Sequence, residues 1–177
     1  MIRTSRLLTC ALGLLPFAFQ VRPPDVIFIP STDAVVDAML KIAHVGRADT
    51  VYDLGCGDGK IVIAAAKQYG AKGVGIDIDP DRIKDANAAA RAAGVTDRVR
   101  FVLGDIFSED VKFNDATVVT LYLLPSLNER LRPRLWRDLQ PGTRVVSNSF
   151  AMGDAWPAQQ TQQVGDRWIY FWTIPRR

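Results

Sequence analysis

The chain has 177 residues, 48% hydrophobic and 23% charged, with a formal net charge of +3. That size and mix suit one globular domain with a sizeable core, and exclude a disordered chain, a collagen-like repeat and a polytopic membrane protein. The positive excess sits in the tails: without Arg3, Arg6, Arg176 and Arg177, residues 21–175 hold 18 basic against 19 acidic groups, so a broad phosphate-binding face is not required and no nucleic-acid partner is expected.

Residues 1–20 read as a signal peptide or N-terminal anchor, and 21–29 as a linker. Arg3 and Arg6 precede a 13-residue apolar run, Leu7 to Phe19. That run is shorter than the ~20 apolar residues a spanning helix needs. Ala18-Phe19-Gln20 makes a poor cleavage site, and Cys10 lies too early for a lipid attachment site. A cytoplasmic extension, or a helix packed on its own domain, are the other readings of this segment. Residues 7–19 thus offer membrane association, and location is exported, anchored or otherwise cytoplasmic. Cys10 and Cys56 are the two cysteines and His44 the one histidine. No spacing suggests a metal site.

From residue 31 onward, strand-like and helical patterns alternate. Ser31 or Thr32 caps a first helix, with apolar Val35, Val36, Met39, Leu40, Ile42 and Ala43 on one face and Gly46 beyond its end. Val51–Leu54 reads as a strand, Lys60–Tyr69 as a helix ending at Gly70, Gly73–Asp77 as a strand and Pro80–Ala93 as a helix ending at Gly94. Val99–Leu103 and Thr117–Leu123 follow as strands. Leu127, Leu131, Leu135 and Leu139 mark a helix that Pro133 kinks or restarts. Arg144–Phe150 is a fifth strand. Residues 162–174 form a hairpin turning at Gly165-Asp166, with Trp168, Tyr170 and Trp172 on one face. The expected fold is α/β: a single Rossmann-like, doubly wound sheet of about seven mostly parallel strands, closed by a C-terminal antiparallel hairpin and spanning 30–177.

Asp53-Leu54-Gly55-Cys56-Gly57-Asp58-Gly59 follows the first strand and opens a helix. Its glycines let the backbone approach a ligand. The spacing differs from a dinucleotide fingerprint, and an acid two places before Gly55 repels a pyrophosphate but suits an amino group. Asp77 ends the second strand, where a carboxylate accepts ribose hydroxyls. Asp105 ends the third, where it accepts from an adenine amine. Three acids at successive strand ends, at the edge where open α/β sheets bind ligands, make a specific constellation.

This pattern resembles the class I S-adenosylmethionine-dependent methyltransferases. It is most similar to the small protein-lysine methyltransferases, of the archaeal broad-specificity type and the type acting on the ATP-synthase c-ring protein. The resemblance runs from residue 30 to about 174. It is carried by Ile29-Pro30-Ser31-Thr32, by 51–62, by Val118-Val119-Thr120-Leu121-Tyr122-Leu123-Leu124-Pro125 and by Arg144-Val145-Val146-Ser147. It implies S-adenosyl-L-methionine as cofactor: Gly55 and Gly57 beneath its methionine part, with Gly59 completing the cofactor-binding loop, Asp53 near its amino group, Asp77 on the ribose, and Asp105 at the adenine with Ile78 and Ile106 packed on the ring. Pro30 and Ser31 cover it from the N-terminal side. The family pattern of His-acid-Phe is here Asn148-Ser149-Phe150, with one extra residue between Gly153 and Trp156, which leaves target recognition open.

Methyl transfer to a lysine needs a neutral amine, aligned with the methyl group and screened from water. Leu121, Leu123 and Pro125 supply an apolar wall after the fourth strand. Tyr122 is the candidate catalytic residue, through a hydrogen bond from the amine or a proton relayed by water, and packing on the sheet edge is its plain alternative. Trp156 is a candidate near the substrate entrance. Arg130, Arg134 and Arg137 share a helical face, read as solvated by default, with an acidic partner or lipid headgroup as the sharper option. The leading expectation is a protein-lysine methyltransferase. A small-molecule methyltransferase acting on a quinone or lipid-like acceptor, and a non-catalytic cofactor-binding module, are the rivals.

Overall fold

The computed structural model describes residues 29–176; the leader expectation for 1–20 and most of the 21–29 linker lie outside them. In chain order the elements are α1 (Asp33–Ile42), β1 (Thr50–Leu54), α2 (Lys60–Tyr69), β2 (Lys72–Asp77), α3 (Pro80–Ala93), β3 (Val99–Leu103), β4 (Val118–Leu121), α4 (Pro125–Asp138), β5 (Arg144–Asn148), β6 (Gln160–Val164) and β7 (Arg167–Thr173). The strands form one seven-stranded sheet in the order β3-β2-β1-β4-β5-β7-β6. Strands β1 to β5 pair in parallel, and β7 pairs antiparallel with both β5 and β6.

Local chemistry sets the element ends. The Thr32 hydroxyl accepts from the Val35 amide and caps α1. Asp79 caps α3 with Pro80 in the first turn, and Gly94 closes it in the left-handed conformation. Helix α4 runs unbroken through Pro133, so it does not restart there.

The two sheet faces are covered unequally. Helices α1 and α2 bury Val35, Met39, Leu40, Ile61 and Val62 against Val51, Val118, Val146 and Phe171, and α3 packs beside α2. On the other face, α4 buries Leu131, Leu135 and Leu139 against Tyr52, Leu121, Val145 and Trp172. As the two successive expected strands imply, residues 104–117, between β3 and β4, contain no helix, and they contain no strand either. Phe113, Val111 and Ile106 from this segment are buried in the α4-side core, where a crossover helix would otherwise lie. Among the described residues no helix is long and apolar enough to cross a membrane.

Candidate functional site

Strand order reverses between β1 and β4, and a cleft opens at the C-terminal ends of the strands around that point, where open α/β sheets bind ligands. It encloses about 990 Å³ of non-atom space, open mouth included. The three expected acids, Asp53, Asp77 and Asp105, all line it, together with Ser31, Gly55, Ile78, Ile106, Tyr122 and Leu123.

Asp53 is 3% exposed. Register places it opposite Thr120 on β4, whose hydroxyl donates to Asp53 Oδ1 at 2.8 Å. Burial pushes its carboxyl up to about 7, against the lowering effect of the Thr120 hydrogen bond, and the Asp77 and Asp58 carboxylates push the same way as burial. A carboxylate so placed is stabilised by an incoming ammonium group. Asp77 is fixed by two backbone donors: the Gly57 amide to Oδ2 at 2.8 Å and the Asp79 amide to Oδ1 at 3.0 Å. Asp105 Oδ1 accepts from the Phe107 amide at 2.8 Å, which turns the chain just past β3.

The glycines divide the work. Gly55 lines the cleft with φ +85, and a Cβ there would stand 3.0 Å from Leu123 Cδ2. Gly59 lies below: with φ +76, its Cβ would meet Phe101 Cε1 at 2.5 Å, so it allows α2 to seat on β3. Gly57 presents its amide to Asp77. Neither Gly57 nor Gly59 is among the residues lining the cleft. Cys56 does line it, but burial, with Asp53 and Asp77 adding to it, pushes its thiol well up and leaves it protonated.

A second cleft meets the first. Pro30, Ser31, Thr32, Tyr122, Asn148, Asp166 and Arg167 line it, so Ser31 and Tyr122 border both. Arg167 donates to Tyr122 Oη at 2.9 Å, and the Tyr122 ring stacks on Phe150 at 6.3 Å between centroids. Asn148 is 1% exposed; its Nδ2 donates to Ser31 Oγ at 3.1 Å and its Oδ1 accepts from Ser149 Oγ at 2.9 Å. Ser149 takes φ +66, a left-handed turn that lets its hydroxyl reach back to Asn148.

Three expectations on the acceptor side need correction. Trp156 is 8% exposed and sits in the core between Trp136 and Trp172, with centroids at 5.4 and 5.6 Å; Trp172 Nε1 donates to its carbonyl. Leu121 is fully buried in the same core, because the strand pleat points it beneath the sheet. Pro125 begins α4 at an exposed position and lines neither cleft. Of the proposed apolar wall, Leu123 remains, joined by Leu127. Sequence reading also passed over Lys60, Phe107 and Arg167. Lys60 Nζ donates to the Ser31 carbonyl and pairs with Asp33 at 2.7 Å, tying the segment before α1 to the mouth of α2. Phe107 could have been found as the next residue after Asp105-Ile106. Arg167 meets Tyr122 across 45 positions of chain, with no local signal.

An acid-lined cleft floored by a glycine turn fits a ligand with an amino group, vicinal hydroxyls and an aromatic base. Comparison with known proteins agrees. The ANTKMT methyltransferase domain family matches residues 53–159. A protein-lysine N-methyltransferase of Saccharolobus islandicus is 45% identical over 81% of this chain and 88% of its own length. The adenine nucleotide translocase lysine N-methyltransferase of Mus musculus is 32% identical over 71% of this chain, which spans 54% of it. A Salinibacter ruber protein described as an RNA methyltransferase, crystallised with S-adenosyl-L-homocysteine, is 51% identical with a TM-score of 0.81, over 84% of this chain and 95% of that one. The chain therefore belongs to the ANTKMT methyltransferase domain family and is an S-adenosylmethionine-dependent methyltransferase.

Proposed function

We propose that the protein methylates the ε-amine of a lysine in a protein substrate, with the cofactor in the first cleft and the lysine reaching it through the second. The observation that carries this reading is the junction of the two clefts at Ser31 and Tyr122. The identity to the Saccharolobus islandicus lysine methyltransferase supports it.

When bound, S-adenosylmethionine supplies a methyl group on a sulfonium sulfur, a good leaving group that needs no metal or covalent enzyme intermediate. Asp53 would hold its amino group, Asp77 its ribose hydroxyls, and Asp105 with Ile78 and Ile106 its adenine. The chain's remaining task is the nucleophile. A lysine amine, with an ordinary pKa of about 10.4, must shed its proton before its lone pair can bond to carbon. Leu123 and Leu127 provide an apolar lining that disfavours the charged form. Tyr122 Oη accepts one hydrogen bond from Arg167; its second lone pair is left to accept from the neutral amine, which aims the nitrogen lone pair at the methyl group. In this scheme Arg167 and Asn148 are positioning residues for Tyr122 and Ser31. Water in the second cleft carries the proton away.

The test is transfer of labelled methyl groups from the cofactor to fractionated cell extract. Label in protein bands, with methyl-lysine found by mass spectrometry and lost in Asp53→Ala, supports the reading. Label only in RNA would replace it with the activity described for the Salinibacter ruber protein, despite the near-neutral body. Label only in the organic-soluble fraction would make the acceptor a quinone or lipid-like molecule, and cofactor binding without transfer would make the protein a binding module. In the same scheme residues 30–177 are the methyltransferase domain, and 7–19 anchor it to the cytoplasmic side of a membrane. The mass of the mature N-terminus decides whether that segment is retained.

A further inference from the structure

The segment after β3 carries Asp105, Ile106 and Phe107 into the cofactor cleft, yet residues 104–117 have no helix or strand to hold them. Beyond the local turn at Asp105, they are held by α4. Arg134, one of three arginines at helical spacing, is not solvated: it is 7% exposed. Its Nη1 donates to the Ile106 carbonyl at 2.5 Å and the Ser108 carbonyl at 2.7 Å, and its Nη2 to the Val111 carbonyl. Its Nε donates to Asp138 at 3.1 Å, and the guanidinium lies 4.6 Å from the Phe113 ring centroid. Hydrogen bonds from Arg137 and then Arg134 hold the Asp138 carboxyl below the usual range despite its burial, so the buried cation has a charged partner. One turn earlier, the Arg130 guanidinium lies 3.8 Å from the Phe107 ring centroid.

Three carbonyls converging on one planar fork fix the path of this segment as a regular element would. A lysine cannot replace that fork: its single ammonium reaches one or two carbonyls, without the planar spread. Loss of the fork also strands buried carbonyls, which then reorganise the chain.

We propose that Arg134 is a positioning residue for the adenine end of the cofactor cleft. It acts through the backbone of Ile106, Ser108 and Val111, and makes α4 the common support of the adenine pocket and of Leu127, which lines the same cleft. This rests on the reading that Asp105 and Ile106 face the adenine.

The experiment measures binding of S-adenosylhomocysteine and of adenosine to wild type, Arg134→Lys, Arg134→Met and Arg134→Ala by calorimetry, with amide hydrogen exchange across 104–117. The expected result is a loss of about tenfold, equal for both ligands, in all three variants. Faster exchange is expected to be confined to that segment, with partial recovery of Arg134→Ala binding in millimolar guanidinium. Should the smaller side chains prevent folding, Arg134→Lys, which keeps the charge and bulk, decides. Wild-type affinity for both ligands in a folded variant overturns the inference, as does a loss for S-adenosylhomocysteine that spares adenosine. Failure of the wild type to bind S-adenosylhomocysteine would instead sink the assignment of the cleft itself.

Discussion

The β1–β3 half of the sheet and the β4–β7 half approach the ligand clefts by different means. In the first half, each strand ends in a short local device: Asp53 and the glycine turn after β1, Asp77 held by two amides after β2, and Asp105 turned onto the Phe107 amide after β3. In the second half, the residues around the second cleft come from distant segments: Ser31 before α1, Tyr122 after β4, Asn148 at the end of β5, and Arg167 at the start of β7. A site for one invariant small molecule can be built from rigid strand ends. A site that must admit a particular acceptor can be retuned by a hairpin or an N-terminal segment without disturbing the first.

Four measurements test that division, beginning with the largest effect. Trp156→Ala removes an aromatic packed between Trp136 and Trp172, and should cost about 3–5 kcal/mol of stability in denaturant titrations. Cofactor affinity at low temperature, where the variant stays folded, should change less than about threefold. A selective rise in KM for the acceptor, with stability intact, would return Trp156 to the substrate side.

Asp53→Ala should weaken S-adenosylhomocysteine by about a hundredfold, because it leaves the ligand's ammonium group without its buried partner. The melting temperature of the empty protein should hold or rise, since the variant also removes a carboxyl that burial disfavours when charged. Unchanged affinity would place the amino group elsewhere in the cleft.

The third measurement is pH. In the empty protein the Asp53 carboxyl titrates at about 7, above its ordinary 3.8. Its contribution to stability is therefore fully present below pH ~4 and is lost as pH rises through 7. An ammonium ligand binds the ionised form, so binding below pH 7 must release the proton. Affinity should climb by up to tenfold per unit as pH approaches 7 and flatten above it. Calorimetry in buffers of different ionisation enthalpy should show proton release below pH 7. A flat profile from pH 5.5 to 8, or one unaltered in Asp53→Asn, contradicts the coupling.

The smallest effect concerns the acceptor half. Arg167→Ala frees Tyr122 Oη and should lower kcat/KM for the acceptor by about tenfold, or ~1.4 kcal/mol, with cofactor affinity unchanged. Arg167→Lys, which keeps one donor within reach, should recover part of that loss. Equal losses in cofactor binding would show that the two halves are not separable.

The first half was legible because its signals are local. Glycines two apart, an acid ahead of them and acids closing the next two strands are contiguous with the strands that aim them, and backbone geometry carries each to the same sheet edge. The helix ends at Gly70 and Gly94 were legible for the same reason. Trp156 misled because an aromatic in a loop after a strand looks alike in sequence whether it turns outward or, as here, back onto Trp172. Leu121 misled because β4 ends at it: Leu121 stays within the buried sheet, and Leu123, two residues past the strand end, reaches the cleft.

The sequence by itself determined the mostly parallel α/β sheet and the three acids that line the cleft, since each follows from short-range pattern and the direction of a strand, and the family resemblance added the cofactor class. Only the tertiary structure decided that Thr120 lies against Asp53, that Arg167 reaches Tyr122, and that Arg134 turns inward to organise a segment without secondary structure. These contacts join residues 67, 45 and 28 positions apart. Strand register, hairpin docking and helix rotation set such distances, and all three are fixed by the packing of the whole core.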